Sequence, residues 1–339
     1  MLMVTIKEIA KKAKVSVATV SYAINNKSGI GESKKAEILK IAKEMGYVPN
    51  SVARSLQSRT TNIIGVVMPE LTNTYNSELL LSLEKQGRAN DFYLLLGSTS
   101  NNLETGKTII NKFIEKNVDG LVIVPGNYAT DKYYAPFANK LSMMGIPLYF
   151  IGSDFKDIQA NYVSIDLELA MYQLTNYLLK EKKRNKIVYF GGKPDDIYTI
   201  ARLNGIKKAF DENNLAFGQK NLYHAAAPYS FEDGLKAIRL FLDKHNELPE
   251  VIMAVNDMVA YGVIKGLLEK NIKVPRDILV TGCDDIYMPT MDNIRLTSIK
   301  LPIDDMARIT IEALKNNIRN RGMLQKVRLK LEIIYRDTA

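Results

Sequence analysis

Short apolar runs alternate with segments of helical spacing through most of this chain of 339 residues. Between residues 62 and 339 the runs with strand character are IIGVVM, FYLLLG, DGLVIV, PLYFI, NKIVYFGG, PEVIMAV and RDILVTG. The helical segments between them include Leu79–Asn90, Glu104–Lys116, Ala170–Lys182, Ala201–Asn213 and Phe231–His245. Such alternation is typical of parallel sheets covered by helices. Because about ten strand–helix units exceed a single open sheet, the pattern predicts two doubly wound α/β lobes.

Polar residues follow several of the predicted strands. Asn256 follows VIMAV, and Asp284 follows ILVTGC. Arg202 lies in the first turn of a predicted helix. Doubly wound lobes bind ligands at the carboxyl ends of their strands, so these side chains are candidates for a binding site. A purely structural interpretation is also open, in which Asn256 caps its helix and Arg202 pairs with a neighbouring aspartate.

Motifs for catalysis and for cofactor binding are missing from the sequence. It has no G-x-G-x-x-G run and no P-loop lysine motif, and nothing around its two histidines has metal-ligand spacing. The carboxylate pairs Asp195–Asp196 and Asp284–Asp285 could do acid–base work, but helix capping and solvent exposure are the commoner roles of such pairs. We therefore expect no catalytic residues, no cofactor and no metal. An α/β enzyme with a fused helical module stays as the competing class.

Positive charge is concentrated at the start of the chain. Residues 1–60 contain 11 Lys+Arg and 4 Asp+Glu, a net charge of +7, whereas the rest contains 35 and 33, a net charge of +2. A small basic module on a nearly neutral body indicates a polyanionic partner, most simply nucleic acid. A solvated lysine-rich helix is the alternative interpretation.

Three short amphipathic helices are predicted within this basic module. Thr5 and Glu8 have the spacing of a capping box at the start of the first helix. Ser16 can cap the second helix, whose inward face would hold Val20 and Ile24. The third helix, ESKKAEILKIAKEMG, ends at a glycine. The complementary apolar faces predict a three-helix bundle.

The second of these helices has an outer face of mostly small side chains, formed by Val17, Ala18, Ser21, Tyr22 and Asn25. Small residues let a helix approach base edges in the major groove, and Thr19 and Asn25 suit contacts with phosphates. After the bundle, Pro49 ends the third helix, and Asn50 can cap about two further turns. So short a helix is marginal alone, which suggests that it forms on a partner.

The single cysteine, Cys283, cannot form an internal disulfide. The first residues contain no apolar core of a signal peptide. No apolar run approaches the ~18 residues of a membrane span. We therefore expect a cytoplasmic protein with no membrane partner.

Three stretches, VTIKEIAKKAKVSVATVSYAINNKSGI, MGYVPNSVARSL and TNIIGVVMPELTN, resemble in order and spacing the amino-terminal signature of the lactose-repressor (LacI/GalR) family. The resemblance implies a helix-turn-helix domain at 1–48, a hinge helix and linker at 49–61, and an effector-binding and dimerisation domain at 62–339. That domain would have two lobes like a periplasmic sugar-binding protein. The expected boundaries of the first lobe are 62–162 and 292–324, and those of the second are 163–291 and 325–339.

The resemblance further implies a homodimeric transcription regulator that binds double-stranded operator DNA. We expect a repressor of a carbohydrate-utilisation operon, controlled by a sugar or sugar phosphate in the interlobe cleft. A nucleobase effector or a protein corepressor are the alternatives. The implied DNA contacts are Thr5, Ser16, Val17, Ala18, Thr19, Ser21, Tyr22, Asn25, Asn50, Ala53, Arg54 and Leu56. The implied effector contacts are Asn73, Tyr75, Arg202, Tyr229, Asn256 and Asp284.

The sequence departs from the family pattern at three positions. Tyr22 stands where most members have an arginine that reads a guanine, so the operator is expected to differ from the common half-site at one base pair. Leu301 stands where a glutamine is frequent, and Asn76 stands where an aromatic residue is frequent. These two changes leave the identity of the effector open.

Overall fold

The computed structural model describes residues 4–26, 28–48, 60–126, 130–155, 157–192, 196–225, 229–291, 293–320 and 324–339. The chain forms two compact units that divide between Thr61 and Asn62. The predicted hinge helix and four of the predicted DNA contacts, Asn50, Ala53, Arg54 and Leu56, lie outside the described residues.

The amino-terminal unit is a bundle of three helices. They are α1 (Ile6–Ala13), α2 (Val17–Ile24) and α3 (Glu32–Glu44). The predicted capping box of Thr5 and Glu8 is confirmed, and so is the Ser16 cap of α2. Seven buried residues make the core, and all are aliphatic: Ile9, Ala10, Ala13, Val20, Ala23, Ile38 and Ala42. So small a core leaves the other faces of all three helices to solvent.

The first lobe of the body is built on a six-stranded parallel sheet of order β11-β5-β4-β3-β1-β2. Its strands are β1 (Ile63–Met68), β2 (Tyr93–Ser98), β3 (Gly120–Ile123), β4 (Leu148–Gly152), β5 (Asn161–Ile165) and β11 (Lys326–Leu329). Its helices are α4 (Thr74–Ala89), α5 (Leu103–Glu115), α6 (Asp131–Met144) and α11 (Ile303–Asn320).

The second lobe is built on a six-stranded sheet of order β12-β10-β9-β8-β6-β7, in which β12 runs antiparallel to β10. Its strands are β6 (Ile187–Gly191), β7 (Leu222–His224), β8 (Val251–Ala254), β9 (Leu279–Asp284), β10 (Thr297–Lys300) and β12 (Glu332–Ile334). Its helices are α7 (Leu167–Asn176), which continues as a π-helical turn (Tyr177–Glu181), α8 (Ile197–Glu212), α9 (Phe231–Lys244) and α10 (Asp257–Glu269). Short 3₁₀ turns lie at Gln219–Asn221 and Pro289–Met291.

Central strands of both sheets are buried on both faces. Five of the six residues of β1 are buried, as are all four of β8. Because helices cover both faces of such sheets, these strands have continuous apolar sequences. Those apolar runs allowed the strands to be predicted from the sequence. The two doubly wound lobes are therefore confirmed. Among the described residues, no helix is both long and apolar enough to cross a bilayer.

The lobe boundaries differ from those expected. β5 belongs to the first sheet, β10 to the second and β11 to the first. The chain therefore passes between lobes after Ile165, after Lys300 and after Leu329, which is later than the expected boundaries at 162, 291 and 324. These three strands are short and mix polar with apolar residues, so no apolar run marked them in the sequence.

Candidate functional site

One face of α2 carries five of the residues predicted to contact DNA. Positions 17, 18, 21, 22 and 25 share a side of the helix, opposite the buried Val20 and Ala23. Val17 is 45% exposed and Tyr22 is 44% exposed, although both are large apolar or aromatic side chains. The fold therefore leaves this face of α2 open to solvent, as a recognition helix requires.

Three polar residues predicted to contact DNA also hold the helix ends. The Ser16 hydroxyl accepts the Thr19 backbone N–H at 3.0 Å and lies 2.8 Å from the Thr19 hydroxyl. The Thr5 backbone N–H donates to the Glu8 carboxylate at 2.7 Å. Hydrogen bonds from the Thr5 backbone N–H and hydroxyl lower the pKa of Glu8. The cap is therefore strongest above acidic pH, where the carboxylate is ionised. Asn25 donates to the Ser21 hydroxyl at 3.3 Å, which orients its amide along α2.

A cavity lies between the two lobes, where the carboxyl ends of both sheets meet. It leaves about 870 Å³ free of protein atoms, including the space open to solvent. The residues that line it include all six of the predicted effector contacts: Asn73, Tyr75, Arg202, Tyr229, Asn256 and Asp284. The structure thus brings together residues from five separate strand–helix connections, as expected for ligand sites in doubly wound folds.

The wall from the first lobe is formed mainly by amide side chains and a tyrosine. Asn73 caps α4, because its side-chain oxygen accepts the Tyr75 backbone N–H at 3.0 Å. The Asn73 NH₂ group has no hydrogen-bond acceptor within the described part of the chain, so it can donate to a ligand. Asn76 is instead committed to the protein, since its NH₂ group donates to the Glu70 carbonyl at 2.9 Å. Burial raises the pKa of Tyr75, which therefore stays a neutral hydroxyl.

The wall from the second lobe contains a cation at the start of α8. Asp196 caps this helix by accepting the backbone N–H groups of Tyr198 and Thr199 at 2.8 and 3.1 Å. Arg202 lies in the second turn of α8, not in the first turn as predicted, because the helix begins at Ile197. Its Nε is buried and has no hydrogen-bond partner among the described residues. Burial lowers the pKa of Arg202, but nearby Tyr189, Cys283 and acidic groups raise it by more. Arg202 therefore stays charged and offers an unused donor.

Asp284, the last residue of β9, is the carboxylate of this wall. It is 7% exposed and has a φ of 116°, an unusual backbone conformation for a residue with a side chain. Burial raises its pKa well above the ordinary value, and Asp257 raises it further, whereas Arg202 opposes the shift. Asp284 therefore keeps a proton to higher pH than an exposed aspartate and can both donate and accept hydrogen bonds.

Asn256 and Tyr229 form a connected pair. The Asn256 side-chain oxygen accepts the Val259 N–H at 2.9 Å, and its NH₂ group donates to the Tyr229 carbonyl at 3.1 Å. The capping interpretation of Asn256 is thus correct, and one N–H is left for a ligand. The Tyr229 hydroxyl packs against Gly192, where an added Cβ would lie only 2.4 Å away. Glycine at this position therefore makes room for the tyrosine.

Leu301 also lines the cavity and is 7% exposed. It replaces a polar contact with an apolar surface, as the sequence indicated.

Four further polar residues of the cavity were not singled out from the sequence: Glu70, Asn101, Asp196 and Tyr198. Glu70 and Asn101 follow β1 and β2, so the criterion that identified Asn256 and Asp284 would also have identified them. Tyr198 lies four residues before Arg202 and shares its helical face. That spacing was a usable signal. Asp196 was considered from the sequence as an acid–base group or a helix cap, and not as a ligand contact.

Chemistry other than binding finds little support. Among the described residues, no group of three or more His, Cys, Asp or Glu side chains could hold a metal ion. Cys283 is buried, and burial raises the pKa of its thiol, which makes it a poor nucleophile.

An outward-facing helix on a small bundle, and a separate two-lobed body with a cavity between its lobes, define a DNA-binding regulator with a ligand-binding body. Residues 5–50 match the family described as bacterial regulatory proteins, lacI family, and residues 64–320 match the periplasmic binding protein domain. The chain belongs to the lacI family, whose members are DNA-binding transcription regulators and not enzymes. The resemblance inferred from the sequence is therefore confirmed.

Similar proteins span nearly the whole chain. Catabolite control protein A from Priestia megaterium is 28% identical over 311 residues, which are 92% of this chain and 91% of the relative. The lac repressor dimer bound to operator and the anti-inducer ONPF has a TM-score of 0.88 at 20% identity, with 99% of each chain covered. A complex of the transcriptional regulator CelR with cellobiose has a TM-score of 0.71 at 21% identity, covering 99% of this chain and 100% of the other. The structural matches establish a shared fold.

Proposed function

We propose that this protein is a cytoplasmic homodimeric repressor of genes for carbohydrate use, and that a neutral sugar bound in the interlobe cavity relieves repression. The observation that carries the proposal is the cavity itself, where donors and acceptors from both lobes converge on one space. A ligand held by both walls binds one relative arrangement of the lobes more tightly than others. It therefore shifts the protein toward that arrangement, and this shift would change DNA binding.

The polar groups of the cavity suit a hydroxyl-rich ligand. A sugar hydroxyl both donates and accepts, so it can pair with the Arg202 Nε–H, the Asn73 NH₂ group and the Asp284 carboxyl at once. Tyr75 and Tyr229 offer aromatic surfaces for the C–H face of a sugar ring. The CelR complex with cellobiose shows that this fold accommodates a carbohydrate, which supports the proposal.

The charges favour a neutral sugar over a sugar phosphate. The described residues that line the cavity include three carboxyl groups, from Glu70, Asp196 and Asp284, and one cation, Arg202. Even with Asp284 protonated, Glu70 and Asp196 leave the cavity without a net positive charge to hold a phosphate dianion, and water screens charge poorly there. This argument narrows the expected effector, a sugar or sugar phosphate, to the uncharged member of the pair.

The homodimer is supported by apolar surface on the first lobe. Leu81 of α4 is 68% exposed and Tyr93 of β2 is 77% exposed, and these two elements pack together. Large exposed apolar side chains on adjacent elements mark protein interfaces. In a dimer, two copies of α2 would enter adjacent major grooves of a nearly palindromic operator.

The test uses the full-length protein and matched pairs of neutral and phosphorylated sugars, such as glucose and glucose 6-phosphate, or cellobiose and its 6-phosphate. Thermal unfolding is followed with each compound, because a ligand at 100 times its Kd adds about 2.7 kcal/mol of stability. Sites selected from random DNA then serve to measure release by the active compound. We expect a neutral sugar to stabilise the protein and release DNA, with its phosphate inactive.

Two results would count against this function. A response to the phosphorylated member alone would overturn the charge argument. A response to nucleobases, with none to sugars, would favour the alternative class of effector.

A further inference from the structure

A hydrogen bond crosses the cavity from one lobe to the other. The Ser153 hydroxyl donates to the Tyr198 hydroxyl oxygen over 2.9 Å. Ser153 directly follows β4 of the first lobe, and Tyr198 lies in the first turn of α8 of the second lobe. Other tyrosine hydroxyls bond within their own lobe, for example Tyr172, which donates to Glu212. The Ser153–Tyr198 bond therefore depends on the relative position of the lobes, whereas the Tyr172 bond does not.

The backbone next to Ser153 is shaped for this contact. Gly152 ends β4 with a φ of +93°, a conformation that residues with a Cβ rarely adopt. A Cβ at Gly152 would lie 3.3 Å from the Tyr198 hydroxyl and 3.9 Å from the Tyr75 hydroxyl. Glycine thus lets the first lobe approach the tyrosine closely. Ser153 is only 7% exposed and Tyr198 is half-buried, so the hydrogen bond between them is partly shielded from water.

Tyr198 can also reach a bound ligand. Its hydroxyl oxygen accepts a hydrogen bond from the Ser153 hydroxyl, which leaves its own O–H to donate elsewhere. The side chain lines the cavity on the same face of α8 as Arg202. Burial raises the pKa of Tyr198 to about 12, so the O–H group is present at neutral pH.

We propose that the Ser153–Tyr198 hydrogen bond is an interlobe latch that holds the lobes together across the cavity before a ligand binds. The bond requires both lobes, it is partly buried, and one of its partners faces the cavity. A ligand that accepts a hydrogen bond from the Tyr198 O–H then binds to lobes that the latch already holds in the closed arrangement. This second role of Tyr198 rests on the proposed function. Tyr198 is thereby a positioning residue that connects recognition of the ligand to the closure of the lobes.

The test measures the distance between the lobes without ligand and without DNA. Spin labels are placed at Lys112→Cys in α5 and Lys207→Cys in α8, both exposed positions, and the labelled full-length chain is diluted into unlabelled chain. Electron–electron double resonance gives the distribution of distances. Tyr198→Phe and Ser153→Ala should each broaden the distribution toward longer distances. Since one hydrogen bond is lost, the closed population should fall relative to the open one by roughly two- to tenfold.

Two controls separate the latch from a general effect. Tyr172→Phe removes a hydroxyl hydrogen bond that does not cross the cavity, and its distribution should equal that of the parent protein. The double variant Ser153→Ala with Tyr198→Phe should match either single variant, because both remove the same bond. An unchanged distribution in both single variants, or the same broadening in Tyr172→Phe, would overturn the proposal.

A second measurement uses whichever neutral sugar stabilises the parent protein. Ser153→Ala keeps the Tyr198 hydroxyl, so it should weaken sugar binding only through the latch, by roughly two- to tenfold. Tyr198→Phe loses the direct contact as well and should weaken binding more. If no sugar binds, the proposed function fails while the distance measurement still decides the latch.

Discussion

The two units of this protein form binding surfaces in opposite ways. In the amino-terminal unit most of the described candidate contacts lie on or beside one helix, between residues 16 and 25, and face away from a core of seven aliphatic residues. In the body the candidate contacts range from Asn73 to Asp284 and surround a cavity between the lobes that is partly open to solvent. A surface that reads DNA needs only one helix held by its neighbours. A ligand site between two lobes needs residues from several strand ends, and parallel sheets bring these together at one edge.

Removal of residues 1–60 should produce the largest effect and should separate DNA binding from sugar binding. These residues carry a net charge of +7, so the truncated protein should lose DNA binding altogether and keep its stabilisation by sugar. In the intact protein, log K should fall against log salt with a slope on the order of −5 or steeper for a dimer, because several phosphates are neutralised. Fluorescence anisotropy over a salt series measures this slope. Binding that does not change with salt would contradict the charge argument.

Arg202→Ala should have the converse effect and remove the response to sugar while DNA binding persists. It deletes the buried guanidinium whose Nε has no partner among the described residues. Loss of a charged hydrogen bond should weaken sugar binding by roughly 10- to 150-fold. Titration calorimetry measures the affinity. The matched control is Arg239→Ala, because Arg239 pairs with Glu269 on the surface of the same lobe. An unchanged sugar affinity in Arg202→Ala would show that Arg202 only stabilises the wall.

One carboxyl in each unit should contribute to stability with an opposite dependence on pH. The Asp257 carboxylate is buried and accepts hydrogen bonds from Ser298 and the Ile286 N–H. Burial raises its pKa from 3.8 to about 7. Between these values the folded chain keeps a proton that the unfolded chain has lost. The stability from this group is therefore fully present below pH 3.8 and is lost as pH rises toward 7. Glu8 of the amino-terminal unit has a lowered pKa, so its contribution is lost as pH falls.

Asp257→Asn tests this difference. Urea titration gives the free energy of unfolding of the parent protein and of the variant. The difference, parent minus variant, should decline between about pH 4 and pH 7 by on the order of 1 kcal/mol per pH unit. Above pH 7 the difference should be constant. Parallel pH profiles for the two proteins would mean that Asp257 is ionised in the folded state throughout.

Tyr22→Arg should have the smallest effect on the overall affinity for DNA. Its effect should be confined to one base pair of each half-site. Tyrosine has one hydroxyl and cannot make the bidentate contact of arginine with guanine, which is worth roughly 1–3 kcal/mol of discrimination. The variant should gain preference for guanine at one position in each half-site and keep the rest of the motif. Selection from random DNA with both proteins measures this. Identical motifs would show that residue 22 does not read a base.

Much of the candidate site was accessible from the sequence because its residues lie at recognisable places. Asn256 and Asp284 follow apolar strands, and Ser16 begins a helix with a favourable cap. The pairing of Ser153 with Tyr198 was not accessible, since neither belongs to a motif and 45 positions separate them. The sequence also did not predict to which sheet β5, β10 and β11 belong, because their residues mix polar and apolar types.

The sequence by itself determined the class of both units: helical periodicity and a charge of +7 within residues 1–60, and alternating strands and helices after them. These properties are local, since they depend on which residues share a face of one helix or strand. Only the tertiary structure decided where the chain passes between lobes, which side chains meet across the cavity, and that Asp284 and Asp257 have raised pKa values. Strand order and burial arise from contacts between distant segments. Local spacing does not contain them.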